Sequence, residues 1–262
     1  MNDQDGKSML LEQNQNSNIK KVIGVVSGKG GVGKSLTTSL LAVRARQEGK
    51  KVAIIDADIT GPSIPKIFGL TEMLTGTEKS IYPAKTKSGI EVVSLNLMTD
   101  DPGSPVIWRG PVISGLVRQF WTDVEYGEID ELYVDMPPGT GDVPLTVFQS
   151  LPVDAIVVVA TPQDLVSMIV EKAVRMAAMM DIPVIGLVMN MAYMVCPKCG
   201  EKLYPFGEGK AQELADKFSI PFVAELPIEK EFSEACDNGQ IEEKEVPELA
   251  EISEAVHRLH KR

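Results

Sequence analysis

An α/β fold, a mostly parallel sheet with helices on both faces, is predicted by three features of this 262-residue chain. Short apolar runs alternate with amphipathic stretches from residue 22 onward. A glycine-rich loop joins the first such run to the first amphipathic stretch. Two later apolar runs end in aspartate. Alternating strands and helices place the strands parallel and cover both faces, and such sheets bind ligands beyond the carboxyl ends of their strands.

The elements follow in order. Val22–Ser27 reads as a buried strand, Lys34–Gln47 as a helix and Lys51–Asp56 as a second strand. Further strands are expected at Glu91–Leu95, Glu131–Asp135, Asp154–Ala160, Pro183–Asn190 and Pro221–Glu225. Helices are expected over Pro111–Asp123, Asp164–Met180, Gly209–Phe218 and Pro247–His260. There is no internal repeat and no linker, so residues 21–262 are expected to form one domain. Residues 1–20 read as a disordered polar tail, because Met1–Asn18 is rich in Asn, Gln and Asp.

Hydrophobic residues make up 44% and charged residues 24%, the balance of an ordinary soluble protein. A net charge of −11 without a large basic patch argues against nucleic acid as a partner. No apolar run reaches the roughly 18–20 residues that span a bilayer, and the N-terminus lacks a signal-peptide core, so a cytoplasmic protein without a membrane partner is expected. Three cysteines, an odd count, argue against a disulfide framework.

The loop Gly28-Lys29-Gly30-Gly31-Val32-Gly33-Lys34-Ser35 carries the pattern G-x-x-x-x-G-K-S between a predicted strand and a predicted helix. Glycines let successive N–H groups turn toward phosphate oxygens, and the helix start adds its positive end. Lys34 is expected to reach the β- and γ-phosphates of ATP, and Ser35 to ligate Mg2+. Asp56 and Asp58 stand two residues apart at a strand end and point the same way. Asp56 suits Mg2+ held through water, and Asp58 suits orientation of the attacking water. Asp135 ends the apolar run Leu132–Val134, which is the Walker-B arrangement. Pro137, Pro138 and Gly139 behind it form a stiff loop suited to sensing the γ-phosphate.

Cys196-Pro-Lys-Cys199-Gly200 has two thiols at knuckle spacing. One chain offers two ligands where tetrahedral zinc or an iron–sulfur cluster needs four, so a two-fold homodimer in which each subunit donates its pair completes the set. A redox dithiol and a plain structural turn are the other readings of the pair. Cys236, on an expected helix, reads as a core residue.

Lys29 carries the first resemblance. The loop is similar to the deviant phosphate loop, K-G-G-x-G-K-[ST], of the MinD/ParA/nitrogenase-iron-protein class of ATPases. The order of the loop, Asp56-Ala-Asp58 and Asp135-Met-Pro-Pro-Gly139 is that of the class. The resemblance implies a nucleotide-sandwich dimer in which Lys29 acts on the partner's nucleotide, and an adenine contact from Asn190. Within that class, the chain resembles the Mrp/ApbC-type ATP-binding iron–sulfur cluster carriers over residues 21–240. The further motifs are Gly61-Pro62-Ser63, Trp108-Arg-Gly-Pro111, Thr161-Pro-Gln163, Asn190-Met191, Cys196-Pro-Lys-Cys199 and Phe206-Gly207.

This second resemblance implies a cluster carrier. A [4Fe-4S] cluster or Zn2+ would bridge two subunits through Cys196 and Cys199, and clusters would pass to apo iron–sulfur proteins. The catalytic residues would be Lys29 and Asp58. The chain departs from its models at Leu36, where the class has threonine. Met1–Asn18 also lacks the cysteines of the N-terminal cluster motif of longer relatives, so that second cluster is not expected. The alternative reading is a MinD/ParA-like positioning ATPase with a structural zinc site, which would need a membrane helix or a DNA surface. The C-terminal stretch Val246–Arg262 is amphipathic, but its first half is acidic, which suits a packed surface helix better than anionic lipid.

Overall fold

The computed structural model describes residues 10–58, 63–77, 79–98, 110–139, 141–162, 166–208 and 210–260. Its strands, in chain order, are β1 Ser17–Ile19, β2 Val22–Ser27, β3 Val52–Asp56, β4 Thr75–Gly76, β5 Ile81–Tyr82, β6 Ala84–Lys85, β7 Glu91–Ser94, β8 Gly127–Ile129, β9 Glu131–Asp135, β10 Ala155–Ala160, β11 Val184–Val195, β12 Lys202–Leu203 and β13 Phe222–Pro227. The helices are α1 Lys34–Gln47, α2 Ser63–Phe68, α3 Gly110–Thr122, α4 Asp142–Ser150, α5 Val166–Met179, α6 Ala211–Phe218, α7 Lys230–Asp237 and α8 Ala250–Arg258.

The main sheet runs β12-β11-β10-β2-β9-β3-β7-β6, with β13 also on β11. Its pairings are parallel except at the two ends, β6 on β7 and β12 on β11. The central strands are buried throughout, and their side chains alternate between two cores. Val22, Val26, Ile55, Val134 and Val158 meet Phe120 and Trp121 of α3, Phe148 of α4, Val170 of α5 and Leu214 of α6. Ile23, Val25, Ile54, Tyr133 and Val157 meet Leu40 and Leu41 of α1, Phe68 of α2, Phe232 of α7 and Ile252 of α8. The period-2 alternation of a strand therefore divides the helices into two layers. The expected α/β fold with helices on both faces is the one observed.

Two expectations change. The tail does not remain unstructured to residue 20: β1 pairs in register with β8, the Trp121 indole donates to the Leu11 carbonyl at 2.9 Å, and Ile19 is buried. A few apolar side chains in the polar stretch are enough to fasten it across α3 and β8. The C-terminal segment begins as a short 3-10 turn at Pro247–Leu249 before α8. Leu249, Ile252 and Val256 lie in the core, so the apolar face of this amphipathic segment packs against the sheet. No helix among the described residues is long and apolar enough to cross a membrane.

Candidate functional site

The phosphate loop leaves the carboxyl end of β2, between β9 and β10, and enters α1. Gly33 is the N-cap of α1 with φ 84°, in the left-handed region. A Cβ there would also lie 2.0 Å from the Asn190 amide nitrogen. Both the backbone and the close approach therefore require glycine. At Gly28, a Cβ would run into Ile169 at 2.2 Å, so the loop is closed on one side by the first turn of α5. Gly30 and Gly31, by contrast, face open space. Asn190, buried near the end of the regular part of β11, donates its amide to the Val32 carbonyl at 2.9 Å.

Strand register gathers the acids. Asp56 on β3 pairs with Asp135 on β9 on one side and with Ser94 on β7 on the other. Lys34 Nζ lies 2.7 Å from Asp135 Oδ1 and 3.3 Å from Asp58 Oδ2. Ser35 donates to Asp135 Oδ2 at 2.6 Å, and Thr38, one turn further along α1, donates to Oδ1 at 3.0 Å. Asp56 accepts from Ser94 Oγ at 2.8 Å and from the Asp58 N–H at 3.2 Å. Burial pushes the Asp56 carboxyl well above the usual carboxylate range, and the nearby Asp135 charge adds to it. Burial raises Asp135 as well, opposed by the Lys34 ammonium.

The oxygen donors Ser35, Asp56, Asp58 and Asp135 suit a small hard dication. No group of three or more His, Cys, Asp or Glu side chains that could hold a metal ion by themselves exists among the described residues. Lys29 is half-buried at the mouth of the loop, and its carbonyl accepts from Ser27 Oγ at 3.0 Å. The side chains of Gly61–Pro62, Trp108–Pro111, Asp142 and Gln163 lie outside the described residues.

Sequence reasoning missed Thr38, Ser94 and Ile169. Thr38 follows Lys34 by four residues, so helical spacing signals it. Ser94 and Ile169 become neighbours of the site only through the strand order and the placement of α5.

The cysteine pair follows the same strand. β11 continues past Asn190 to Val195 and turns through the cysteine pair into β12. The Cys196 N–H donates to the Glu201 carbonyl and the Gly200 N–H to the Cys196 carbonyl, both at 2.9 Å, which closes a tight knuckle. Backbone N–H groups of Lys198 and Cys199 lower the Cys196 thiol pKa, so the thiolate that a metal needs forms more readily. Cys196 is half-exposed, Cys199 is exposed, and both are free thiols. Cys236 lies on α7, partly buried against the core as expected.

A strand, a glycine loop capped by a helix, and a lysine–aspartate pair at the carboxyl edge of a parallel sheet define a P-loop NTPase. The model of the NUBPL iron-transfer P-loop NTPases, in the ParA group, matches residues 18–262, and the chain belongs to that family. An iron-sulfur cluster carrier protein of Clostridium perfringens is 47% identical over 234 residues, covering 86% of this chain and 82% of that protein. A protein of the same name from Methanocaldococcus jannaschii is 42% identical over 243 residues, covering 90% and 83%. Among solved structures, a nucleotide-binding protein from Archaeoglobus fulgidus, in complex with ADP and with Co found in it, superimposes with TM-score 0.80 at 45% identity. It covers 88% of this chain and 91% of that one. The cell division protein MinD of Aquifex aeolicus, with TM-score 0.58 at 20% identity over 91% and 95%, shares the fold.

Proposed function

We propose that the protein is an ATP-hydrolysing iron–sulfur cluster carrier that works as a homodimer. It binds a [4Fe-4S] cluster or Zn2+ between the Cys196/Cys199 pairs of two subunits and passes clusters to apoproteins. One observation carries this reading: a single strand, β11, bears Asn190 at the phosphate loop and runs directly into the turn that holds the free cysteine pair. The names of the two carrier relatives and the ADP of the Archaeoglobus protein support the two halves of the assignment.

The chain's own groups divide the work. The loop N–H groups and Lys34 would hold the phosphates, and Lys34 would leave Asp135 to do so. Ser35, Asp56 and Asp135 would hold Mg2+, which supplies charge neutralisation at the phosphates. Asp58 would orient the attacking water. Lys29, through a sandwich dimer, would stabilise charge on the partner's transferred group. Between Asn190 and Cys196, Met191 has φ 59° and the pairing of β11 with β13 slips between Met189 and Tyr193. A non-glycine residue in the left-handed region stores backbone strain. Its position suits a joint through which closure at the nucleotide changes the geometry of the cysteine bridge.

The test is anaerobic purification with iron, sulfide and zinc analysis and light scattering. One centre per two chains is expected, lost in Cys196→Ser and Cys199→Ser but retained in Cys236→Ser. One centre per single chain would refute the bridge.

A further inference from the structure

The knuckle is surrounded by apolar side chains that its thiols do not explain. Nine large hydrophobic residues are exposed among the described residues, and four of them, Met194, Val195, Leu203 and Phe206, fall in this one short hairpin. Each is 42–50% exposed. Exposed apolar residues gathered in one place mark an interaction surface.

Register sorts them by face. Met194 pairs directly with Leu203, so the two side chains stand on the same side of the hairpin. Cys196 is two residues beyond Met194 and its N–H continues the ladder to Glu201, so its side chain joins that side. Val195 pairs with Lys202 on the other side, where the Lys202 ammonium lies 3.8 Å from the centre of the Tyr193 ring.

Charge indicates the occupant. The chain carries −11, so two copies repel each other across most of their surfaces. The segment from Met194 to Lys210 reverses the balance, with Lys198, Lys202 and Lys210 against Glu201 and Glu208. Lys198 and Glu201 flank the turn with opposite signs, and a two-fold axis would set each against the other's counterpart.

We infer that Met194 and Leu203 form an apolar collar that packs against the same collar of a second copy and encloses the shared thiolate centre. This rests on the bridging role proposed for Cys196 and Cys199 and adds the surface that seals it. The collar is smaller than the ~800 Å² per partner of a stable interface, so it acts together with the metal. The dimer is therefore weak without metal and tight with it.

The experiment loads the full chain with Zn2+ and measures dimer dissociation by analytical ultracentrifugation, together with zinc loss to a chelator. In Met194→Ser/Leu203→Ser, with both cysteines intact, dimer affinity falls at least about tenfold and zinc leaves faster. Val195→Ser, on the opposite side, stays within about twofold of the parent. Circular dichroism and nucleotide affinity remain at parent values, because the altered residues are exposed and away from the phosphate loop. Parent-like dimerisation of the double variant, or an equal loss in Val195→Ser, overturns the collar while leaving the bridge standing. A parent chain that stays monomeric with Zn2+ overturns both.

Discussion

Lys34 and Asp135 pair at 2.7 Å, with 5% of the lysine side chain and none of the aspartate exposed. The lysine expected to meet phosphate is thus held by the strand-end carboxylate, with Asp58 at 3.3 Å as a second partner. In the proposed nucleotide site, Lys34 would exchange these carboxylates for phosphate oxygens. Lys34→Met should remove both the phosphate contact and the counter-charge of the buried Asp135. Breaking one side of a buried pair costs about 3–5 kcal/mol. Urea unfolding should register most of that loss, and ATP affinity should disappear in equilibrium dialysis. Near-parent ATP affinity in this variant would refute the assignment of the loop.

Asn190 separates two roles that a sequence cannot. Its amide nitrogen is committed to the Val32 carbonyl, so in this structure it clamps the loop. Removing that bond, worth about 1 kcal/mol, should weaken ATP and GTP alike in Asn190→Ala, by roughly fivefold to tenfold. Loss confined to ATP would mean that the side chain reads the adenine ring, as the resemblance implies.

The opposite edge of the sheet makes a prediction about pH. Glu131, at the start of β9, is 1% exposed, and burial raises its carboxyl from 4.5 to about 7. Its Oε2 accepts from Tyr133, while Oε1 has no hydrogen bond among the described residues and faces His257 Nε2 of α8 at 3.3 Å. Glu48 Oε2 is also 3.3 Å from that nitrogen, and burial lowers the His257 pKa. A raised carboxyl favours folding below 4.5 and loses that contribution as pH rises through about 7. The shift corresponds to on the order of 3 kcal/mol. His257 has the opposite sign, favouring the folded state above its ordinary value and opposing it as pH falls. The Glu131 contribution should therefore be lost between pH 4.5 and about 7, offset by His257 below pH 6.5, and Glu131→Gln should remove the loss across that window. An unchanged pH profile of thermal unfolding in the variant would rule out Glu131 as its source.

The parts legible in the sequence were those with local patterns. The phosphate loop, Asp56 and Asp135 each follow an apolar run, and the run itself announces the strand that positions them. Their mutual contact was not legible, because it depends on β9 lying between β2 and β3. Ser94 reaches Asp56 only through that order. The helix Asp142–Ser150 was missed because Pro144 and the β-branched Val143, Thr146 and Val147 weaken its signal. Proline is tolerated there because it falls in the first turn. β1 has three residues and a partner some 110 positions away, a distance at which no periodicity operates.

Lys29 offers the sharpest test of the dimer. If it acts on the partner's nucleotide, each working site combines Asp58 of one subunit with Lys29 of the other. Lys29→Ala and Asp58→Ala should each be inactive alone while still binding ATP. In a mixed dimer of the two variants, one site recovers both residues: Asp58 from the Lys29→Ala chain and Lys29 from the Asp58→Ala chain. The second site lacks both. Random exchange at equal concentrations makes half of the dimers mixed, each with one of its two sites intact, so about a quarter of the parent rate should return. If Lys29 acted on its own subunit's nucleotide, every site in every dimer would carry a defect, and mixing would restore nothing. A steady-state phosphate-release assay across a titration of one variant into the other distinguishes the cases. Complementation peaking near equal amounts supports action across the interface, and a flat line at the background rate of the single variants removes it.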